Sequence, residues 1–291
     1  MTNKFGIMTD SGADFSLDYM KKHDLLLIRT RIMIEETEYI DRDTITREEI
    51  IDKMINDKAK TSTSVAPPID FDQVIRAGLE RYEKILYLGI SAKMSATLQN
   101  AIMTAKRLKT ENFIAVDTET VSWGQSLLID HAIRRRDQGI PIETVIEEIN
   151  EMKKSIQVHF MVETLEYLRR GGRIGAAKSL LGTLMGLKPH LVVKDGEITS
   201  AGTVKSYSEG MEKFRAIAEL YSKEFGNYVI VIMYGLENPE IEAFAEEIRK
   251  QYKPLHFLYE PIGANIICHA GPYLFGLGII KIPDSAVDAY I

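Results

Sequence analysis

The stretch ILYLGISAKMSATLQNAIMTAKRLKTENFIAVDT, residues 85–118, decides the fold. It opens with an apolar run, Ile85 to Ile90, that predicts a buried strand. Apolar residues at helical spacing from Thr97 to Leu108 predict a helix, and Phe113 to Val116 predicts a second strand. A strand, a helix and a strand at this spacing indicate parallel strands joined by a crossover helix.

The same alternation continues towards both ends of the chain, beginning with a predicted strand at Phe5 to Met8. The pattern changes from about Gln157, and Asp195-Gly196 between two apolar runs predicts a hairpin. We therefore expect an α/β protein with two domains. Residues 1–160 should form a mostly parallel sheet with helices on both faces, and residues 161–291 should form an α+β domain.

Composition narrows the classes of protein that fit. A chain of 291 residues with 45% hydrophobic and 27% charged residues is typical of globular proteins. Its formal charge of −6 argues against nucleic acid as a partner. Cys268 is the single cysteine, so no intrachain disulfide can form, and no zinc-ligand spacing occurs. We expect a cytoplasmic protein without metal or cofactor.

The hydrophobic residues are also distributed as in a protein without membrane spans. No run of 18 apolar residues occurs, which argues against a transmembrane segment. No heptad pattern or long exposed apolar stripe is visible, so we expect a monomer.

Polar residues cluster where predicted strands end or glycines follow. The clusters are Thr9-Asp10-Ser11, Thr61-Ser62-Thr63-Ser64, Ser91 with Ser95 and Thr97, and His269-Ala270-Gly271-Pro272. Each could simply cap a helix or form a turn. Together they predict an anion site, because Ser91 and Ser95 flank a predicted helix start whose amides and dipole favour a carboxylate or phosphate. His269 can add a further donor.

Two other kinds of site lack their usual motifs. No G-x-G-x-x-G follows the first strand and no G-x-x-x-x-G-K-[ST] occurs, which argues against nucleotide binding. A hydrolase triad could be assembled from Ser91, His269 and Asp10, but no G-x-S-x-G motif supports it.

The ordered set of motifs resembles the DegV family along nearly the whole chain. The matching segments are Thr9-Asp10-Ser11, Lys60-Thr61-Ser62, Ile90 to Thr97, Leu165 to Ile174, Leu187-Lys188-Pro189, Asp195-Gly196 and His269-Ala270-Gly271-Pro272. The resemblance implies a protein that is not an enzyme and that binds a long-chain fatty acid between two domains. It further implies that a fatty-acid kinase partner receives the carboxylate and makes an acyl phosphate from it.

The resemblance also implies roles for particular residues. The implied carboxylate ligands are Thr61 or Ser62, Ser91, Ser95 and His269. Candidate residues for lining the acyl tail are Leu184, Met185, Leu187, Ile262 and Ile266, and Arg170 and Arg173 would face the kinase or the carboxylate. A tail of roughly 16 carbons would contribute on the order of 10 kcal/mol of gross transfer free energy, at about 0.8 kcal/mol per buried methylene.

Several positions depart from the family pattern. Ala92 replaces a serine, Ala96 and Tyr273 replace glycines, and Lys205 stands where the family usually has an arginine. Two alternatives therefore stay open. One is a phosphotransferase-type enzyme of the dihydroxyacetone-kinase fold group that binds a small carbonyl compound at His269. The other is a regulatory scaffold that binds no ligand.

Overall fold

The computed structural model describes residues 5–182 and 186–291. Its N-terminal part contains a parallel sheet of four strands in the order β2-β1-β6-β7. The strands of this part of the chain are β1 (Phe5–Asp10), β2 (Leu26–Ile28), β3 (Arg31–Ile34), β4 (Thr37–Ile40), β5 (Thr61–Ser64), β6 (Lys84–Gly89) and β7 (Phe113–Asp117). The strands predicted within residues 85–118 are thus adjacent and parallel.

Helices cover both faces of the parallel sheet, as predicted. They are α1 (Leu17–Lys22), α2 (Arg47–Ile55), α3 (Pro68–Arg81), α4 (Thr97–Arg107), α5 (Trp123–Asp137) and α6 (Ile142–Met152). In β6, Ile85 and Tyr87 pack with the side of α3 and α4, whereas Leu86 and Leu88 pack with the side of α5. Both sets are buried, which explains why β6 is a continuous apolar run.

A small antiparallel sheet, in the order β4-β3-β5, lies beside the parallel one. Its strand β5 has the sequence Thr-Ser-Thr-Ser and was not predicted, because its side chains are all short and polar. Successive side chains of a strand point to opposite faces. Thr61 and Thr63 therefore share one face of β5, and Ser62 lies exposed on the other.

The C-terminal part is built on a mixed sheet of six strands in the order β10-β9-β8-β13-β11-β12. Its strands are β8 (Gln157–Met161), β9 (Lys188–Lys194), β10 (Glu197–Val204), β11 (Tyr228–Tyr234), β12 (His256–Pro261) and β13 (Phe275–Lys281). The predicted hairpin is β9 and β10, and its turn residues Asp195 and Gly196 have φ of 51° and 79°. The predicted domain boundary after residue 160 falls inside β8, which pairs only within this second sheet.

Helices of the C-terminal part lie on both sides of the mixed sheet. They are α7 (Glu166–Arg170), α8 (Tyr207–Phe225), α9 (Pro239–Tyr252) and α10 (Ala264–Ala270). α8 and α9 cover one face. Residues of the other face, such as Val158, Phe160 and Val193, share a core with the N-terminal part. The expected fold class, with a parallel sheet first and an α+β part second, is confirmed.

Candidate functional site

A cavity lies between the parallel sheet and the mixed sheet. Asp10 at the end of β1 and Ile90 just after β6 line it, so it lies beyond the carboxyl ends of parallel strands, where α/β folds commonly bind ligands. Most of its wall is apolar, and the second sheet contributes Val158, Phe160, Val193, Ile198 and Met233. The space between its walls, including the part open to solvent, is about 840 Å³.

One end of the cavity adjoins a cleft on the protein surface. Met94, Ser95, Arg173 and Ile198 line both the cavity and the cleft. We call this end the mouth. Ser95 and Arg173 lie at this end, and most of the cavity wall is apolar, so the cavity suits an apolar ligand with a polar end.

Arg173 places a positive charge at the mouth. Its Nε donates to the carbonyl of Met94 at 3.1 Å, and its Nη1 donates to the carbonyl of Gly171 at 2.6 Å. These bonds fix the plane of the guanidinium. Among the residues that the structure describes, no carboxylate forms an ion pair with it. A guanidinium held in this way is suited to an anion.

His269, near the end of α10, faces the same region. Its Nε2 lies 2.8 Å from Thr63 Oγ1, and its Nδ1 is buried beside Gly171 without a hydrogen-bond partner in the described chain. Burial, with a smaller effect of the Arg173 charge, lowers the pKa of His269 to about 4. The ring is therefore neutral near pH 7. Thr63 belongs to the polar cluster of residues 61–64 that helped to predict the anion site, but it was not among the implied carboxylate ligands. Its two-residue spacing from Thr61 would have indicated it had β5 been predicted.

Ser95 contributes a hydroxyl at the mouth. Its Oγ lies 2.8 Å from Thr97 Oγ1 and accepts from the backbone N–H of Thr97 at 3.2 Å. Helix α4 starts at Thr97, as the sequence predicted. Ser95 therefore lies just before the helix, where exposed amides and the helix dipole favour negative charge.

The hydroxyls of two other predicted ligands donate hydrogen bonds to backbone carbonyls. Thr61 donates to the carbonyl of Cys268 at 3.2 Å, and Ser91 donates to the carbonyl of Gly196 at 2.6 Å. Both bonds connect the N-terminal part to the C-terminal part. Ser62 is exposed on β5. The structure thus brings Ser95 and His269 together at the cavity and leaves Thr61, Ser62 and Ser91 outside its lining.

Only some of the residues predicted to line the acyl tail lie in the cavity wall. Ile266 lines the cavity, Ile262 is fully buried in the core, and Leu187 is half-buried outside the lining. Leu184 and Met185 lie outside the described residues. Of the two arginines predicted to face a partner, Arg173 is at the mouth, and Arg170 is exposed over the ring of Tyr167.

Asp10 is a buried carboxyl in the cavity wall that is fully occupied with protein donors. It accepts from Tyr87 Oη at 2.6 Å, from the N–H groups of Ile90 and Gly12, and from Gln125 Nε2. Burial raises the pKa of Asp10, whereas these hydrogen bonds lower it. Asp10 bonds neither to His269 nor to Ser91, so the conceivable hydrolase triad is not assembled.

Across residues 5–182 and 186–291, no group of three or more His, Cys, Asp or Glu side chains is arranged to hold a metal ion. Within these ranges every helix is too short or too polar to span a lipid bilayer.

The fold and the site define an α/β protein with a largely apolar cavity between two sheets and a mouth that carries the positive charge of Arg173. Comparison with known proteins identifies its family. A family model described as "Uncharacterised protein, DegV family" matches residues 4–282. The chain belongs to the DegV family, as the motifs predicted.

Relatives of known sequence and structure match over almost their entire length. A DegV domain-containing protein of Clostridium perfringens is 27% identical over 279 residues, which are 96% of this chain and 99% of the relative. A DegV family protein from Thermus thermophilus, described as binding fatty acid, is 28% identical with a TM-score of 0.90, covering 96% of this chain and 100% of that one. A stearic acid-binding protein from Eubacterium ventriosum is 26% identical with a TM-score of 0.87, covering 95% and 98%.

Proposed function

We propose that this protein binds a long-chain fatty acid in the cavity, with the carboxylate at the mouth, and is not itself an enzyme. The observation that carries the proposal is the Arg173 guanidinium, which has no acidic partner in the described chain and lies at the polar end of an apolar cavity. An uncompensated charge beside an apolar pocket is unfavourable unless a ligand pairs with it. The fatty acids described for the Thermus thermophilus and Eubacterium ventriosum relatives support the same ligand.

The proposed carboxylate ligands are Ser95 and His269, together with Arg173 and Thr63. Neutral His269 and the hydroxyls can donate hydrogen bonds, and Arg173 supplies the compensating charge. The acyl tail would follow the apolar wall that includes Phe160.

A binding titration with matched variants tests this assignment. Delipidated protein should bind palmitate, as measured by calorimetry and by native mass spectrometry. Ser95→Ala combined with His269→Ala should weaken binding by about 3 kcal/mol, since hydrogen bonds to a charged group contribute about 1.5–3 kcal/mol each. Ser222→Ala, on the surface of α8, is the control and should bind as the parent does. Absence of palmitate binding by the parent protein would refute the proposal.

Thr61, Ser62 and Ser91 remain predicted carboxylate ligands that the same titration tests singly. We expect smaller losses for their alanine variants. The hydroxyls of Thr61 and Ser91 donate to backbone carbonyls, and Ser62 is exposed outside the cavity.

We further propose that the carboxylate is presented to a separate fatty-acid kinase, which forms the acyl phosphate. The cleft beside the mouth supports this, because it gives a second protein access to the polar end of the ligand. Exposed Arg170 lies close in sequence to Arg173 and would contact that partner. Incubation with a fatty-acid kinase and ATP should yield acyl phosphate, and Arg170→Ala should slow its formation without changing palmitate affinity. No product with the parent protein would reject the hand-off but not the binding.

A further inference from the structure

The cavity contains a second polar position, one helical turn along α10 from His269. Asn265 and His269 are four residues apart on α10 and both line the cavity. At this spacing they lie about 6 Å apart along the helix axis. Asn265 Nδ2 donates to Thr30 Oγ1 at 2.7 Å, and Thr30 also lines the cavity. We call these two side chains the inner pair. Neither belongs to the surface cleft at the mouth.

The inner pair has hydrogen-bonding capacity that the protein does not use. In the described part of the chain, neither Asn265 Oδ1 nor the hydroxyl hydrogen of Thr30 has a partner. Exchanging the oxygen and nitrogen of the amide would still leave one donor and one acceptor at the pair. Thr30 is 6% exposed and Asn265 7% exposed, so bulk solvent hardly reaches them.

Two other polar residues of the cavity wall, Asp10 and Ser122, are hydrogen-bonded within the protein. Asp10 accepts from several donors, and the hydroxyl of Ser122 donates to Asp14. A plain methylene chain passing the inner pair would leave a donor and an acceptor unpaired in a desolvated site, which is unfavourable.

We propose that the inner pair binds a hydroxyl group on the acyl chain, so that the preferred ligand is a hydroxylated long-chain fatty acid. A hydroxyl both donates and accepts and therefore matches both unused groups. A keto oxygen only accepts and would satisfy the donor alone. This inference rests on the proposed fatty-acid binding, and it adds a preference among fatty acids.

The structure also indicates where on the chain the hydroxyl lies. With the carboxylate beside His269, the inner pair is roughly 6 Å, one helical turn, farther along the ligand path. The hydroxyl therefore belongs on one of the carbons near the carboxyl end and not at the far end of the tail. Palmitate, 5-hydroxypalmitate and 16-hydroxypalmitate separate these possibilities, because they share one chain length.

Competition titrations of the three acids against the delipidated full-length protein test the inference. We expect 5-hydroxypalmitate to bind at least about tenfold more tightly than palmitate, since a site built to bond a hydroxyl discriminates against analogues that lack it. 16-Hydroxypalmitate should show no such gain. Asn265→Leu, which removes the amide at similar volume, should reduce the ratio to about one while palmitate still binds. Thr30→Val should also reduce the ratio to about one, and it replaces Asn265→Leu in the test if that variant does not fold.

Ser222→Ala, on the surface of α8 and outside the cavity, is the control and should leave the ratio unchanged. Equal affinities of the parent protein for palmitate and 5-hydroxypalmitate would overturn the inference and leave the proposed function standing. Failure to bind any of the three acids would reject the proposed function and the inference with it.

Discussion

Replacing Ser91 with alanine should weaken the fold more than it weakens ligand binding. Ser91 is 1% exposed, and its hydroxyl donates to the carbonyl of Gly196 at 2.6 Å. Gly196 is itself buried in the turn between β9 and β10. Alanine at position 91 would therefore leave a buried carbonyl without this donor, which costs about 1–3 kcal/mol.

Urea unfolding should report this loss directly. We expect the free energy of unfolding of Ser91→Ala to fall by about 2 kcal/mol at an unchanged denaturant slope, because the surface exposed on unfolding stays the same. Palmitate affinity should change by less than about threefold, which is below 1 kcal/mol. Ser95→Ala should weaken palmitate binding more than it lowers the free energy of unfolding, since Ser95 lies at the mouth.

The comparison of the two serine variants can refute this reasoning. If Ser91→Ala unfolds at the same urea concentration as the parent but binds palmitate tenfold more weakly, Ser91 is a ligand and its bond to Gly196 contributes little. Ser222→Ala again serves as the control for removal of a serine hydroxyl at the surface.

Two more predictions concern Gly171 and the response to acid. A Cβ at position 171 would lie 2.2 Å from His269 Nδ1. The backbone φ of Gly171 is −75°, which alanine tolerates. Gly171→Ala should therefore displace the ring of His269 and weaken palmitate binding about tenfold in the same titration. Burial lowers the pKa of His159, His190 and His269 to about 4, whereas an unfolded histidine titrates near 6.5. The unfolded chain then binds more protons between these values, so stability from these groups is present above pH 6.5 and is lost as the pH falls towards 4. Asp14 acts in the opposite direction, because burial raises its pKa to about 6. Urea unfolding between pH 7 and pH 5 should therefore show a net decrease in the free energy of unfolding. The decrease should be smaller for His190→Gln.

The architecture could be predicted because its determinants are local. The apolar run of β6, the helical spacing of α4 and the Asp195-Gly196 turn each act within a few residues. Their consistency along the chain specified a parallel sheet followed by an α+β part. β5 was missed because Thr-Ser-Thr-Ser has no apolar alternation, and its pairing with β3 is what makes it a strand.

The site could be predicted only in part, because hydroxyls of the same kind serve different purposes. Ser91 and Ser95 lie four residues apart and look equivalent in sequence, yet one bonds to Gly196 and the other lines the cavity. Which carbonyl or cavity a hydroxyl meets depends on the distant segment that packs against it. For the same reason Thr63 was left out of the implied ligands and Asn265 was overlooked, since their partners His269 and Thr30 are far away in sequence.

The turn at Gly196 has a kinetic consequence for the ligand. The hairpin of β9 and β10 contributes Val193 and Ile198 to the cavity wall and is joined to the loop after β6 by the bond from Ser91. The hairpin lies at one end of the mixed sheet and pairs with β8, whereas the two sheets share a continuous core. Local openings of this kind occur well below the free energy of global unfolding. We expect a fatty acid bound as proposed to exchange by a movement of this hairpin, so that its residence time is set separately from the stability of the protein.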